Sequence, residues 1–527
     1  MHSLLSKSKI LVVDDFAQFR QTIKTMLVRL GATAVDQASN AAQALTLCMG
    51  NEYDIFLCDY NLGEGQDGQQ LLEELHERSI LRKGSLFLMV TAETTSAQVM
   101  GAIEYSPDTY LTKPFTAEEL AQRLKRLILR NEKLQPIHDA INAGKMDKAL
   151  LLCDLVMAAE SVTRFSCLRL KSEILKQQKK YDQAFELLSD VVQQQPLLWA
   201  VLGIGQIYFI KQDYENALEH FLQMRKDFPQ QVNILDWVAK CYAALVKISE
   251  AEEALLDAVK ISPKSVRRQV ELGRVAQQLE HHDIAQKAFE KTISQGHHSC
   301  LLKPEHYKSY FNATQAVSPG LGPREKSRIL ATCEAAAKRM ESKYQGDPTA
   351  LAVNLSSLSV LFSSVGRANQ SDAYLSKLSS ALEKPGCLIS VADFEHIQQN
   401  LNKLGDKKAN KRVLGKISNR MKTMKEKIKE WQDNEALAIG INRIGMAYAK
   451  KKQLKEALDK FREAYKLSPK NQNFALNAAQ LILMQDEFKN DPQLINEARS
   501  YLDTLSFENS GAHWKLYKEL IGYLPDE

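Results

Sequence analysis

Short apolar runs alternate with amphipathic stretches through the first 130 residues. Lys9 to Val13, Ala34 to Gln37, Ile55 to Asp59, Ser85 to Thr91 and Thr109 to Thr112 have the length and residue types of strands. Phe16 to Leu30, Ala41 to Met49, Gly68 to Leu81, Ala97 to Glu104 and Ala117 to Leu129 read as helices; the first places Phe19, Ile23, Met26, Leu27 and Leu30 on one face. Five strands alternating with five helices predict an α/β doubly wound parallel sheet with right-handed crossovers and helices on both faces.

Beyond residue 130 the strand pattern stops and a longer period takes over. Ala184, Ala217, Ala251 and Ala285 are spaced 33, 34 and 34 residues apart, and Pro196, Pro229 and Pro263 keep the same interval. Small and aromatic positions recur around them: Gly205, Tyr208, Tyr214 and Phe221, then Ala239, Tyr242 and Leu255, then Gly273 and Phe289. Ile444, Gly445, Tyr448, Leu454, Ala457, Phe461, Ala464 and Pro469 repeat the set near the end, with weaker flanking units at 135–163 and 472–503. This region resembles a tetratricopeptide array, an all-α solenoid of helical hairpins. Small residues let the paired helices approach, aromatics fill gaps against the next unit, and proline ends each second helix. Residues 351–382 form a diverged helical pair of uncertain register.

Composition and charge refine this. At 527 residues the chain exceeds one ordinary core. The expected division is 1–130, 131–296, 297–433 and 434–527. No apolar run reaches about 18 residues, and Met1-His2-Ser3-Leu4-Leu5 lacks the core of a signal peptide, so a cytoplasmic location is expected. The eight cysteines contain no CxxC pair and read as small core residues. His281-His282 and His297-His298 with Cys300 match no closed zinc site.

Of the formal charge of +5, residues 1–130 contribute −3 and the remainder +8. Residues 406–430 alone supply +7, and within them Leu414, Ile417, Met421, Met424, Ile428 and Trp431 make one apolar helical seam. Three readings follow: a long helix packed on the solenoid with a solvated cationic face, a homodimer through the seam, or a nucleic-acid-associated regulator binding phosphates through 406–430. No helix-turn-helix module accompanies the last.

The candidate chemistry lies at the strand ends. In the predicted sheet, Asp14, Asp15, Asp59, Thr91 and Lys113 gather at one edge, where open α/β sheets bind ligands. Clustered carboxylates repel one another unless a cation neutralises them, and hard oxygen donors suit Mg²⁺. LVVDD, CDYNL, VTAE and TKPF, in order and at suitable distances, resemble the receiver domain of two-component response regulators, with its flavodoxin-like fold.

That resemblance implies Asp59 as phosphoacceptor from a sensor histidine kinase. It also implies Mg²⁺ held by Asp14, Asp15, Asp59 and the main-chain carbonyl of Asn61, Asp14 partly through water. Thr91 and Lys113 would meet the phosphoryl oxygens, and Tyr110 would be the aromatic switch residue on the face of the fourth helix, fifth strand and fifth helix. Gly63 departs from the family's frequent proline, which predicts a more flexible loop. No GxxxxGK[ST], HExxH or GxSxG motif follows, so the expected output is protein binding by the repeat groove rather than catalysis.

Overall fold

The computed structural model describes the chain except residues 1–4, 64, 93–106, 160–162, 230, 385, 388–389, 405–410, 470, 489–490, 504, 506–511 and 525–527; side chains at 411–425, 427–428, 431, 512–515 and 518 are also outside the description. The chain divides into two compact units, Met1–Tyr344 and Gln345–Glu527.

Unit 1 opens with β1 (Lys9–Val13), α1 (Ala17–Arg29), β2 (Ala34–Ala38), α2 (Ala41–Gly50), β3 (Ile55–Asp59), α3 (Gly68–Glu77), β4 (Leu86–Thr91) and β5 (Thr109–Thr112). The strands form one parallel sheet in the order β2-β1-β3-β4-β5. β3 and β4 are buried along their whole lengths, which explains apolar runs without alternation. One sheet face, with Ile10, Val12, Leu57, Leu88 and Val90, packs on Ile23 and Leu27 of α1 and on Leu120, Leu124 and Leu127 of the helix after β5. The other, with Leu11, Val13, Phe56, Phe87 and Met89, packs on Ala44 and Leu45 of α2 and Leu71, Leu72 and Leu75 of α3. The predicted helix Ala97–Glu104 lies outside the described residues.

Two helix ends differ from expectation. α3 stops at Glu77, capped by Arg78, and Ser79 takes φ 53°, so Ile80 and Leu81 return to the core as loop residues. The helix expected to end at Leu129 is α4 (Ala117–Asn142), continuous across residue 130 with Pro136 inside it. Its second half braces the sheet domain: His138 lies under Gly84, Asn131 donates to the Gly84 carbonyl, and Asn142 and Lys83 exchange hydrogen bonds of 3.0 and 3.1 Å.

Helical hairpins follow: α5 (Met146–Ala159), α6 (Arg164–Gln177), α7 (Tyr181–Gln194), α8 (Leu198–Ile210), α9 (Tyr214–Asp227), α10 (Val232–Ala244), α11 (Ile248–Ile261), α12 (Val266–Gln278), α13 (His282–Gln295), α14 (Pro304–Val317) and α15 (Pro323–Lys343). Ala184, Ala217, Ala251 and Ala285 are fully buried at hairpin contacts. A Cβ at Gly205 would come within 2.6 Å of the Phe221 ring, and one at Gly273 within 2.6 Å of Phe289, so each phenyl ring lies over the glycine of its own hairpin. Phe221 also stacks on Trp237 of the next unit at 5.6 Å, joining repeats as expected.

A second marker of the repeat is conformational. Gly144, Lys179, Gln212, Val246 and Glu280 all have φ between 59° and 69° at the hairpin turns. L-residues pay about 1–2 kcal/mol for this conformation, most when β-branched. Val246 is 78% exposed, so its side chain contributes little contact there. Val246→Gly should therefore raise stability by about 0.5 kcal/mol, after subtracting the roughly 0.5–1 kcal/mol of chain entropy that glycine loses on folding. A lower unfolding midpoint in urea would contradict this.

Unit 2 contains α16 (Pro348–Ser364), α17 (Ala368–Glu383), α18 (Val391–Lys403), α19 (Lys411–Lys450), α20 (Leu454–Leu467), α21 (Gln472–Met484), α22 (Pro492–Asp503) and α23 (Ala512–Ile521). α16 and α17 form the pair whose register the sequence left open; the turn is at Gly366, φ 79°. The basic segment from Lys411 and the first helix of the C-terminal repeat are one 40-residue helix, α19, so no break occurs at 433. A Cβ at Gly445 of α19 would lie 2.7 Å from Phe461 of α20, the third glycine–phenylalanine pair of this kind. Ile444, read as a repeat position, is instead exposed, because Ile441 and Gly445 carry the contact face. The side chains of the 414–431 seam lie outside the described residues. Six of the eight cysteines are buried, while Cys300 and Cys387 are partly exposed.

Candidate functional site

The carboxyl ends of β1 and β3 place Asp14, Asp15 and Asp59 together, with one carboxylate oxygen from each within 4.8 Å of the others. Asp14 and Asp59 are buried and Asp15 is exposed, so the cluster opens to solvent through Asp15. The buried polar groups are paired: Phe16 N donates to Asp14 Oδ1 at 2.8 Å, and Arg20 Nη1 donates to the Asp14 carbonyl at 2.6 Å.

Lys113 follows β5 and spans the pocket. Its Nζ lies 2.8 Å from Asp59 Oδ2 and 2.9 Å from Asp14 Oδ2. The chain is directed there by Lys113 N, which donates to the Thr91 carbonyl at 2.7 Å; the Lys113–Pro114 bond is cis. The Lys113 ammonium also sits 4.1 Å from the centroid of Phe19, whose ring meets Phe115 edge-on at 5.8 Å. Burial raises the pKa of Asp59, with Asp14 adding to the rise, while Lys113 and a backbone hydrogen bond at Asn61 oppose it. Burial works against the Lys113 charge, but its bonds to Asp59 and Asp14 outweigh this and raise its pKa.

The remaining predicted residues surround this centre. Thr91 is buried at the end of β4. Asn61 is exposed, and its side chain accepts from Gly63 N at 3.3 Å. Tyr110 packs its ring against the sheet core, and its hydroxyl is buried with no hydrogen-bond partner among the described residues. Burial raises its pKa. This is the inward orientation of the aromatic.

Gly63 explains its own departure from proline. It has φ 73°, which the pyrrolidine ring excludes, and a Cβ would stand 2.9 Å from Asp15 Oδ2. Gly68, at the start of α3, is tighter: its N–H donates to the Tyr60 carbonyl at 2.8 Å, and a Cβ would lie 2.1 Å from the Asp59 carbonyl oxygen. Phe19, Arg20 and Gly68 were not among the residues expected at the site. Phe19 and Arg20 are masked in sequence by the helical periodicity of α1, and the glycine before a helix reads as an ordinary turn. The cluster has the donor set of a hard divalent cation, three carboxylates with one of them open to solvent. No other cluster of metal-ligating side chains occurs among the described residues.

The family described as response regulator receiver domain matches residues 10–125, and that described as tetratricopeptide repeat matches 438–471. Chemotaxis protein CheY-3 of Vibrio cholerae serotype O1 is 32% identical over 131 residues, which span 25% of this chain and 99% of that protein. Chemotaxis protein CheY of Pseudomonas aeruginosa is 34% identical over 122 residues, 23% of this chain and 97% of that protein. The solved structure of chemotaxis response regulator CheY4 of Vibrio cholerae is 28% identical, covers 23% of this chain and 98% of that one, and has a TM-score of 0.21.

Proposed function

The chain belongs to the response regulators of two-component signalling, with an N-terminal receiver domain and a tetratricopeptide region, and from this we propose that Asp59 accepts a phosphoryl group from a histidine kinase and thereby gates protein binding by the helical repeats. The observation that carries this reading is the position of Lys113 Nζ, within 3 Å of both Asp59 and Asp14 in a cluster open to solvent at Asp15.

In the proposed step a carboxylate oxygen of Asp59 forms a bond to phosphorus as the P–N bond of a phosphohistidine breaks, leaving an acyl phosphate on this chain and a free imidazole on the kinase. Asp14, Asp15, Asp59 and the main-chain carbonyl of Asn61 would hold Mg²⁺, which supplies charge neutralisation for the phosphoryl oxygens when bound. Lys113 exchanges its carboxylate partner for a phosphoryl oxygen, and the Thr91 hydroxyl donates to another. Asp59 needs no proton removed, because it attacks as a carboxylate. The acyl phosphate, with a charge of about −2 where the carboxylate had −1, then biases the Thr91 and Tyr110 region between two arrangements.

No helix among the described residues is long and apolar enough to cross a membrane. The output we propose is protein recognition by the repeat array. No catalytic output domain is among the family matches.

Intact-protein mass spectrometry after incubation with acetyl phosphate and Mg²⁺ tests the assignment. One added phosphoryl group is expected in the wild type and none in Asp59→Asn. Equal labelling of the two would remove Asp59 from its role. Chelation of divalent cations with EDTA should abolish labelling of the wild type, and full labelling in EDTA would remove the cation from the proposal.

A further inference from the structure

The receiver does not hang free of the array in unit 1. Lys83, in the loop before β4, pairs with Glu173 of α6 at 3.0 Å, and Glu77 at the end of α3 pairs with Arg267 of α12 at 2.7 Å. Gln70 Nε2 of α3 donates to the Gln295 carbonyl at 3.1 Å. α6 and α12 are first helices of hairpins, with turns at Lys179 and Glu280, and α8 and α10 are the first helices between them. The contacts of the receiver thus fall on two first helices, α6 and α12, and on the end of a second helix, α13. The receiver therefore spans the array surface from α6 to α13.

The contact is charged in a complementary way. α3 presents Glu73, Glu74 and Glu77, and the field of these three carboxylates adds to burial in raising the Cys300 thiol pKa. Lys264 and Lys343 of the array lie close enough to act on Asp67 and Glu74, respectively. Glu74 and Gln69 are buried although both are polar positions of a receiver helix. The same α3 is seated on the phosphoacceptor: Gly68 touches the Asp59 carbonyl, Asp67 caps the helix through Gln70 N at 2.7 Å, and Gln66 donates to Glu74. A cleft of about 400 Å³, lined by Asn40, Gly65, Gln66, Arg339 and Lys343 among others, lies beside the connecting loop.

We propose that the receiver's acidic α3 is the resting occupant of this array surface, and that on its release the surface takes an acidic helix of a partner protein in its place. The ligand class follows from Arg267, which α3 holds through Glu77, with Lys264 and Lys343 adding positive field beside it. The loop from Asp59 to Asp67 joins this docking to the phosphorylation site, so the part of the proposal that concerns release rests on the function proposed above.

The test uses the full chain and a fluorescent synthetic peptide with the sequence of residues 66–83. In the wild type, binding should be weak because α3 competes in the same chain. The double variant Glu77→Arg with Lys83→Glu should bind at least ten-fold tighter, and adding Arg267→Glu should return binding to the wild-type level. Acetyl phosphate with Mg²⁺ should produce the same gain in the wild type and none in Asp59→Asn. Unchanged affinity in the double variant overturns the masked surface, whatever the labelling of Asp59. A gain in that variant without a gain on Asp59 labelling supports the surface and overturns release by phosphorylation. Circular dichroism of each variant identifies a folding loss, and Glu77→Gln supplies a milder release variant expected to shift affinity in the same direction.

Discussion

Alanine at Gly68 is expected to cost the receiver about 3 kcal/mol or more and to abolish labelling of Asp59 by acetyl phosphate. The cause is contact with the backbone: a Cβ there would stand 2.1 Å from the Asp59 carbonyl oxygen, 3.0 Å from its carbon and 3.0 Å from Cys58 Sγ. The two nearest atoms are backbone, and Cys58 Sγ ends a short side chain that is fully buried. Either β3 or the start of α3 must shift, and overpacking of a well-packed core typically costs about 1–3 kcal/mol even where side chains can adjust. The shift falls on the residue that must meet phosphorus, and displacement of a reacting group by about 1 Å can cost on the order of 100-fold in rate. Thermal unfolding and mass spectrometry of Gly68→Ala measure the two effects separately. Wild-type stability together with wild-type labelling would show that the helix start has freedom that its close packing denies.

Gly68 also shows where sequence reading ended. The strands were legible because buried parallel strands are continuous apolar runs, and β1, β3 and β5 have the bounds that their runs predict. The acidic cluster and Lys113 were legible because strand order in such a fold brings the ends of β1, β3 and β5 to one edge. The supporting residues were not. Phe19 under the Lys113 ammonium and Arg20 on the Asp14 carbonyl have the same spacing as any residue of an amphipathic helix, and only the close approach of α1 to the pocket gives them a part in it. The hairpin turns show the reverse case. Lys179, Gln212, Val246 and Glu280 share a left-handed conformation with no common residue type, so the strictest marker of the repeat is backbone geometry rather than composition. Helix continuity was hidden as well, since nothing local in α4 or α19 distinguishes the end of one structural role from the start of another.

Alanine at Asp236 should destabilise unit 1 by about 3 kcal/mol, the low end of the cost of removing one partner from a buried ion pair, because Arg268 is buried while Asp236 is 24% exposed. Arg268 is 5% exposed, and its guanidinium meets the Asp236 carboxylate in a forked arrangement, with Nε at 2.8 Å from Oδ1 and Nη2 at 2.7 Å from Oδ2. The two residues lie 32 positions apart, on α10 and α12, so the pair ties one hairpin to the next. Without Asp236 the guanidinium keeps its charge, because its pKa is too high for it to shed a proton, and it must either remain buried uncompensated or draw α12 outward to water. The apolar double variant Asp236→Leu with Arg268→Met removes both charges and should recover most of the loss, since well-packed apolar replacements of buried pairs are often neutral. Arg267 precedes Arg268 on α12 and holds Glu77 of the receiver, so the single variant should also loosen that contact. Hydrogen exchange should therefore rise at α3 in Asp236→Ala and return toward the wild-type rate in the double variant. A single variant as stable as the wild type, or a double variant no better than the single, would mean that the hairpins are held together by apolar contacts such as Phe221 on Trp237 rather than by this pair.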